Sequence, residues 1–224
     1  SDAIETRGFA GFFGVCLDWR AGGDSSARCP VLLKPSMSLT PAGEKSPGRL
    51  AGLTDYVQAA PSAAFSYVEL LGLLYGLRIT TDALALARAK VDADRDALFN
   101  INQESTGDGL TLASQVELAA GILKNIGFEQ DCARIVLLCG HVGHSCNNPH
   151  AAGFDCGACG GHGGAINARV AAALLNAPLV RVGLKEKEII VPHDTYFLPG
   201  VHDTSTDHVK LLDVEKIPQT HAPD

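Results

Sequence analysis

The chain has no run of lysines and arginines, no internal repeat and no low-complexity segment. It also has no apolar stretch of about 18 residues or more, so no segment reads as a membrane-spanning helix. Acidic side chains outnumber basic ones, 25 to 18, for a net charge of −7. That balance excludes an electrostatic hold on nucleic acid or on an anionic lipid surface. Methionine is all but missing, with Met37 the only one. The chain opens on Ser1-Asp2-Ala3 without an initiator, and we expect an internal fragment of a longer protein. What is present is a globular composition: 46% hydrophobic and 19% charged, enough to bury a core. A length of 224 residues suits one large domain or two small ones. We expect a single α/β domain across residues 1–224.

Cysteine and histidine are concentrated. The 24 residues from Cys139 to His162 hold four of the seven cysteines and four of the eight histidines. The histidines are His141, His144, His150 and His162; the cysteines are Cys139, Cys146, Cys156 and Cys159. An odd cysteine count clustered at short spacings is not a disulfide framework. It fits free or metal-bound thiols in a reducing compartment. We therefore read residues 139–164 as a metal or thiolate loop.

The flanking pattern alternates strand and helix. Gly8–Val15 reads as a strand or tight loop, Ala21–Ala27 as a polar loop, Cys29–Lys34 as a short buried strand and Ser36–Ser46 as a surface loop. A helix opens at Pro61-Ser62 and a second segment covers Ala83–Lys90. Asn100–Gly109 is polar. Thr111 begins a helix with Leu112, Val116, Ala119, Ala120 and Leu123 at helical spacing, and Gly127 stops it. A half-helix over Glu129–Ala133 leads into Ile135–Cys139, a continuous apolar run of the kind covered on both faces in a parallel sheet. After the loop, Ala165–Leu175 is helical and ends at Asn176-Ala177-Pro178. Short strands follow at Ile189–Val191, Thr195–Leu198 and Val209–Val214, and the tail frays from Pro218. The fold class is α/β, a mostly parallel sheet flanked by helices.

In such sheets ligands bind beyond the carboxyl ends of strands, and His141 lies two residues past one. Cys156 and Cys159 form a C-x-x-C ahead of a helix, whose N-terminus favours thiolate. Imidazole and thiolate converging there are what zinc takes in a tetrahedral shell. The bland readings stand beside this one. The C-x-x-C is also the spelling of a redox pair, and Cys132 and Cys139 read as buried small hydrophobes. His144, His150 and His162 read as solvated or supporting. Asn147-Asn148-Pro149 reads as a turn. Asp203, Asp207 and His208 near His202 form either a second polar site or a solvated turn that bonds its own backbone. The glycine-rich stretch 157–164 lacks the G-x-x-x-x-G-K-[ST] pattern, so phosphate binding is discounted.

Several strings together resemble one family. They are Gly140-His141 followed by Asn147-Asn148-Pro149, then GFDCGACGG from Gly153, then Asn167-Ala168-Arg169 and Leu175-Asn176. GFAGFFGV, CPVLLKP, QVELAAGIL, DTYFLPG and HDTSTD agree with them, in order along nearly the whole chain. The chain is similar to the DabA family, the large zinc-binding subunit of a bacterial inorganic-carbon accumulation complex. The resemblance implies a β-carbonic-anhydrase-like fold, incomplete in this fragment. It implies a Zn2+ site of two cysteines, a histidine and an aspartate, with His141 and Cys156 as this chain's metal ligands. It implies zinc hydroxide hydrating CO2 to bicarbonate in the full protein. It further implies a cation-translocating, DabB-like membrane partner subunit and a peripheral place on the cytoplasmic side of the bacterial inner membrane. Association between copies is left open.

The family's other two ligands sit in a C-x-D-x-R motif. Cys16-Leu17-Asp18-Trp19-Arg20 has that spelling. In relatives, however, the motif lies upstream of GFAGFFG, whereas here the match lies downstream. The resemblance therefore implies that Cys16 and Asp18 are a coincidental match, and that the isolated chain hydrates no CO2. The rivals are a structural or partner-docking segment without chemistry, and a thiol redox protein using Cys156 and Cys159.

Overall fold

A computed structural model describes residues 4–9, 11–21, 24–42, 98–99, 110–128, 132–143 and 156–221, with further helical positions between Ser62 and Leu77. Eight strands are described: β1 (Leu17–Ala21), β2 (Asp24–Arg28), β3 (Met37–Leu39), β4 (Pro41–Ala42), β5 (Leu98–Phe99), β6 (Ile135–Val142), β7 (Tyr196–Asp203) and β8 (His208–Leu211). The bounded helices are α1 (Leu112–Ile126), α2 (Ala165–Asn176) and α3 (Pro178–Glu186). The fold is mixed α/β, and its described strands form small sheets in the orders β2-β1-β3, β4-β5 and β6-β7-β8. β1 is antiparallel to β2 and parallel to β3. β6 and β7 are parallel, joined through α2 and α3, and β8 returns antiparallel to β7.

Helix α1 forms where local chemistry asks for it. Thr111 Oγ1 accepts the Ser114 N–H at 3.2 Å, and Gly127 closes the helix in the left-handed region at φ 76°. Its apolar residues Val116, Ala119, Ala120, Ile122 and Leu123 are buried. Helix α2 is buried nearly all round and lies on the β6–β7 sheet. Its alanines 168, 171 and 172 leave room for close approach. Ala177 ends it, and Pro178 at once begins α3, as the fixed φ of proline permits at a first turn. The sequence pattern stops at that proline; Val180 and Leu184, four apart and both buried, are the signal for the helix beyond it.

The core joins both larger sheets. Leu17, Trp19 and Leu39 from the first share one hydrophobic cluster with Val136, Leu138 and Phe197 from the second and with the buried residues of α1 and α2. Asn167 on α2 ties them, donating from Nδ2 to the carbonyls of Val15 (2.6 Å) and Arg28 (3.0 Å). Pro199 sits inside the central strand without costing a ladder bond. Its carbonyl faces β8, where it accepts the Leu212 N–H at 2.9 Å, and its nitrogen faces the same way, past the last β7–β8 pair.

Several local expectations change. Cys29–Lys34 is a turn rather than a buried strand: Leu33 N–H donates to Pro30 O, and Val31, Leu32 and Leu33 are exposed. Hydrophobicity there does not bring a strand partner. The polar stretch before it does pair, as β2, because backbone hydrogen bonds with β1 need no apolar side chains. Met37–Leu39 and Pro41–Ala42 are likewise strands inside the expected surface loop. Ile189 and Val191 are buried but belong to no strand. β6 alternates rather than being covered on both faces: Val136, Leu138 and Gly140 are buried against α2, and Leu137 and Cys139 are exposed. The tail is anchored, since buried His221 bonds the Asp194 carbonyl at 2.5 Å and Arg134 bonds the Thr220 carbonyl. Within Gly8–Val15, Gly11–Gly14 forms a tight turn, with Phe12 and Phe13 buried despite left-handed φ values of 62° and 55°. Ala83–Lys90 and Asn100–Gly109 lie outside the described residues.

Candidate metal centre

The site is assembled by one strand end and one short turn. β6 runs further than its apolar stretch suggests, so His141 lies within the strand, opposite His202 of β7, rather than past its end. The extension is held by ladder bonds from β7 and by Thr204, whose N–H donates to Val142 O at 2.8 Å. The chain re-enters the described structure at Cys156 and folds Gly157–Cys159 into one 3-10 turn. Cys159 N–H donates to Cys156 O at 3.1 Å, which brings both sulfurs to one side. Gly160 and Gly161 follow at φ 59° and 76°, a pair of left-handed steps that favours glycine.

Two links seat this turn. Gly164 N–H donates to His141 O at 2.9 Å, and Val31 N–H donates to Ala158 O at 2.9 Å. The first requires the bare backbones of Gly140 and Gly164 to touch. A Cβ at Gly140 would stand 2.7 Å from the Gly164 carbonyl oxygen. The result is that Cys159 Sγ lies 3.1 Å from His141 Nε2, and Cys156 Sγ lies 3.4 Å from Cys159 Sγ. Cys159 is buried, His141 half-buried and Cys156 exposed.

These three donor atoms lie within 4.8 Å of one another and could hold a metal ion. A tetrahedral zinc with bonds of about 2.3 Å to sulfur and about 2.0 Å to nitrogen sets sulfur–sulfur near ~3.8 Å and sulfur–nitrogen near ~3.5 Å. The two separations that involve Cys159, 3.1 and 3.4 Å, need to open by a few tenths of an ångström, and Cys156 and His141 lie within 4.8 Å of each other. Imidazole and thiolate sulfur are also the donors zinc prefers. The residues therefore fit the ion.

The two thiols differ electrostatically. Cys156 is held below the ordinary thiol range, first by hydrogen bonding from the Cys159 side chain and then by the Cys159 and Ala158 backbone N–H groups. Cys159 is pushed up to about 11 by burial, with the hydrogen bond and charge of Cys156 adding to it. The thiolate is thus favoured first by the Cys159 side chain and then by the amides of its own turn, whereas α2 begins only at Ala165, beyond the two left-handed glycines.

Among the described residues, Cys16 and Asp18 are not part of this group. Asp18 accepts from Ser25 Oγ at 2.5 Å and from Arg20 Nε at 2.9 Å. The Cys16 thiol is pushed up by burial first and then by the charge and hydrogen bonding of nearby Cys29. Cys139 is exposed rather than packed as a small hydrophobe, and Cys132 is half-buried. His162 is half-buried and follows Cys159 in the turn. His144, Cys146, His150 and Asn147-Asn148-Pro149 lie outside the described residues. The His202–Asp207 stretch is the β7–β8 hairpin. Asp203 Oδ1 accepts from Ser205 N–H and Oγ, as a self-bonding turn does, and Asp207 Oδ1 pairs with His202 Nε2 at 2.7 Å. Of the other family strings, Asn167 and Arg169 are structural: Asn167 ties the sheets, and Arg169 pairs with Asp213 at 2.9 Å.

Residues 1–224 match the family model described as "Probable inorganic carbon transporter subunit DabA". The chain is 38% identical over 252 residues to "Probable inorganic carbon transporter subunit DabA 1" of Bradyrhizobium sp. (strain ORS 278), covering 100% of this chain and 30% of that protein. It is 38% identical over 255 residues to the DabA subunit of Roseiflexus sp. (strain RS-1), with the same coverage. It is 37% identical over 233 residues to DabA2 of Halothiobacillus neapolitanus, covering 96% of this chain and 28% of that protein. The chain thus spans about 30% of the length of these relatives. No solved structure matches it. Among the described residues no single helix is long and apolar enough to cross a membrane.

Proposed function

The chain belongs to the DabA family of inorganic carbon transporter subunits, and from that premise we propose that it carries part of a zinc site serving CO2 and bicarbonate uptake. The observation that carries this reading is the convergence of His141, Cys156 and Cys159 within 4.8 Å. His141 and Cys156 are the proposed ligands, and Cys159, whose Sγ lies 3.1 Å from His141 Nε2 and 3.4 Å from Cys156 Sγ, is either a third ligand or the neighbour whose hydrogen bonding favours the Cys156 thiolate. When bound, zinc supplies Lewis acidity toward water and CO2 at neutral pH.

The chain's own residues supply the rest. β6 fixes the imidazole by holding His141 between the His202 ladder and the Gly164 link. The 3-10 turn brings Cys159 Sγ to Nε2 and Cys156 Sγ to Cys159 Sγ. In the whole subunit the site is completed in a β-carbonic-anhydrase-like arrangement, and uptake is driven with a DabB-like, cation-translocating membrane partner at the cytoplasmic face of the inner membrane. The chain acts there as one α/β domain of a larger protein.

Metal analysis after purification in zinc tests this. Stoichiometric zinc that is lost in His141→Ala and in Cys156→Ser supports the site. Metal-free protein with a reversible Cys156–Cys159 disulfide would instead favour a thiol redox protein, the reading to which the 3.4 Å sulfur separation also lends itself. Neither metal nor disulfide would leave a docking segment.

A further inference from the structure

Cys16 and Cys29 are thiols that the candidate metal centre leaves unused. β1 and β2 are antiparallel, with Leu17 opposite Arg28 as the outermost pair. One step further out along the same register sets Cys16 opposite Cys29. Directly opposed antiparallel residues have Cα atoms about 4.5–5.5 Å apart, inside the span of about 4.4–6.8 Å that a disulfide bridges. The proximity is felt electrostatically: burial first, then the charge and hydrogen bonding of Cys29, push the Cys16 thiol up. Both thiols are free, Cys16 half-buried and Cys29 buried.

Their surroundings hold the pair in place. Ser36 donates to Cys16 O from its N–H at 3.0 Å and from Oγ at 3.2 Å. Asn167 Nδ2 grips the carbonyls of Val15 and Arg28, the residues adjoining the two cysteines. The Cys29 thiol donates to Leu33 O at 3.3 Å, closing the turn. Backbone restraint on both sides of a pair of opposed thiols favours bond formation over separation, because little chain entropy is left to lose.

We propose that Cys16 and Cys29 form an oxidation site that takes small-molecule disulfides and staples the open end of the β1–β2 hairpin. Cys16, the more accessible, loses its proton and attacks one sulfur of the oxidant. The oxidant's S–S bond breaks, and one small thiolate leaves and is protonated. Cys29, deprotonated in turn, attacks the Cys16 sulfur. The mixed bond breaks and the second small thiol leaves. Two cysteine thiols are oxidised, one small disulfide is reduced to two thiols, and the two cysteine protons end on those thiols.

The test uses the full chain with Cys156→Ser and Cys159→Ser, so that the C-x-x-C cannot exchange. After incubation with oxidised glutathione, free thiols are alkylated and the peptides mapped by mass spectrometry. The expected result is a Cys16–Cys29 linked peptide in most molecules and a melting temperature raised by several degrees. Reductant reverses both, and adding Cys16→Ser or Cys29→Ser, either alone, abolishes both. Glutathione retained on Cys16, a bond from Cys16 to another cysteine, or two thiols still alkylated overturns the proposal.

Discussion

Cys16-Leu17-Asp18-Trp19-Arg20 and Cys156-Gly157-Ala158-Cys159 both spell metal-binding motifs, and the structure uses them differently. The first is strand and strand approach. Leu17 and Trp19 point into the core, and Cys16, Asp18 and Arg20 share the other face. Asp18 is occupied there by Ser25 and Arg20. The second is a turn, which folds residues three apart onto one side and toward His141. Residues aligned on a strand share a face yet meet only what the neighbouring strand offers. Residues on a turn converge on a point, and a metal needs a point.

The sharpest way to break this comparison is to exchange its ligands. His141→Ala, Cys156→Ser and Cys159→Ser should each lower zinc affinity by at least ~100-fold, whereas Asp18→Asn should leave it within about twofold. Competition with a chromophoric chelator measures both, and an equal loss from Asp18→Asn would reverse the assignment. Gly140→Ala comes next. Its Cβ would press on the Gly164 carbonyl, so urea titration should show a loss of about 1–3 kcal/mol, with weaker zinc binding as the turn shifts.

Asn167→Ala probes what the two regions share. It strands the Val15 and Arg28 carbonyls, at a cost of about 1–2 kcal/mol in the same titration. The smallest effect belongs to Asp18. Hydrogen bonding from Ser25, then from Arg20, holds its carboxyl below the usual range. A folded value below the unfolded one contributes stability above the unfolded pKa, and that stability fades as pH falls through the folded value. The wild type should therefore lose slightly more stability in acid than Asp18→Asn, by under ~1 kcal/mol for so superficial a pair. Denaturant midpoints at neutral and acid pH compare them.

The elements legible in the sequence were those with local causes. Thr111 and Gly127 bound α1 by their own hydrogen bonds, and Pro178 ends α2 where its ring cannot continue it. β2 was not legible, because a polar edge strand is held by backbone bonds to a partner that composition does not name. Cys29–Lys34 misled for the converse reason, since apolar side chains without a partner strand remain a turn. The anchoring of His221 likewise depends on Asp194, far back along the chain.

For the candidate site, the sequence by itself determined the donor set: histidine and cysteines crowded into one loop, with glycines that allow tight backbone. The expectation that Cys16 and Asp18 stand outside the site came from the family resemblance, through their place after GFAGFFG, and not from the residues themselves. Only the tertiary structure decided which sulfur meets the imidazole. Cys159, buried beneath the turn, stands nearest to His141, and exposed Cys156 completes the cluster. Spacing along a chain sets which side chains share a face or a turn. Convergence between a strand and a turn waits on contacts remote in sequence, here Val31 to Ala158 and Gly164 to His141.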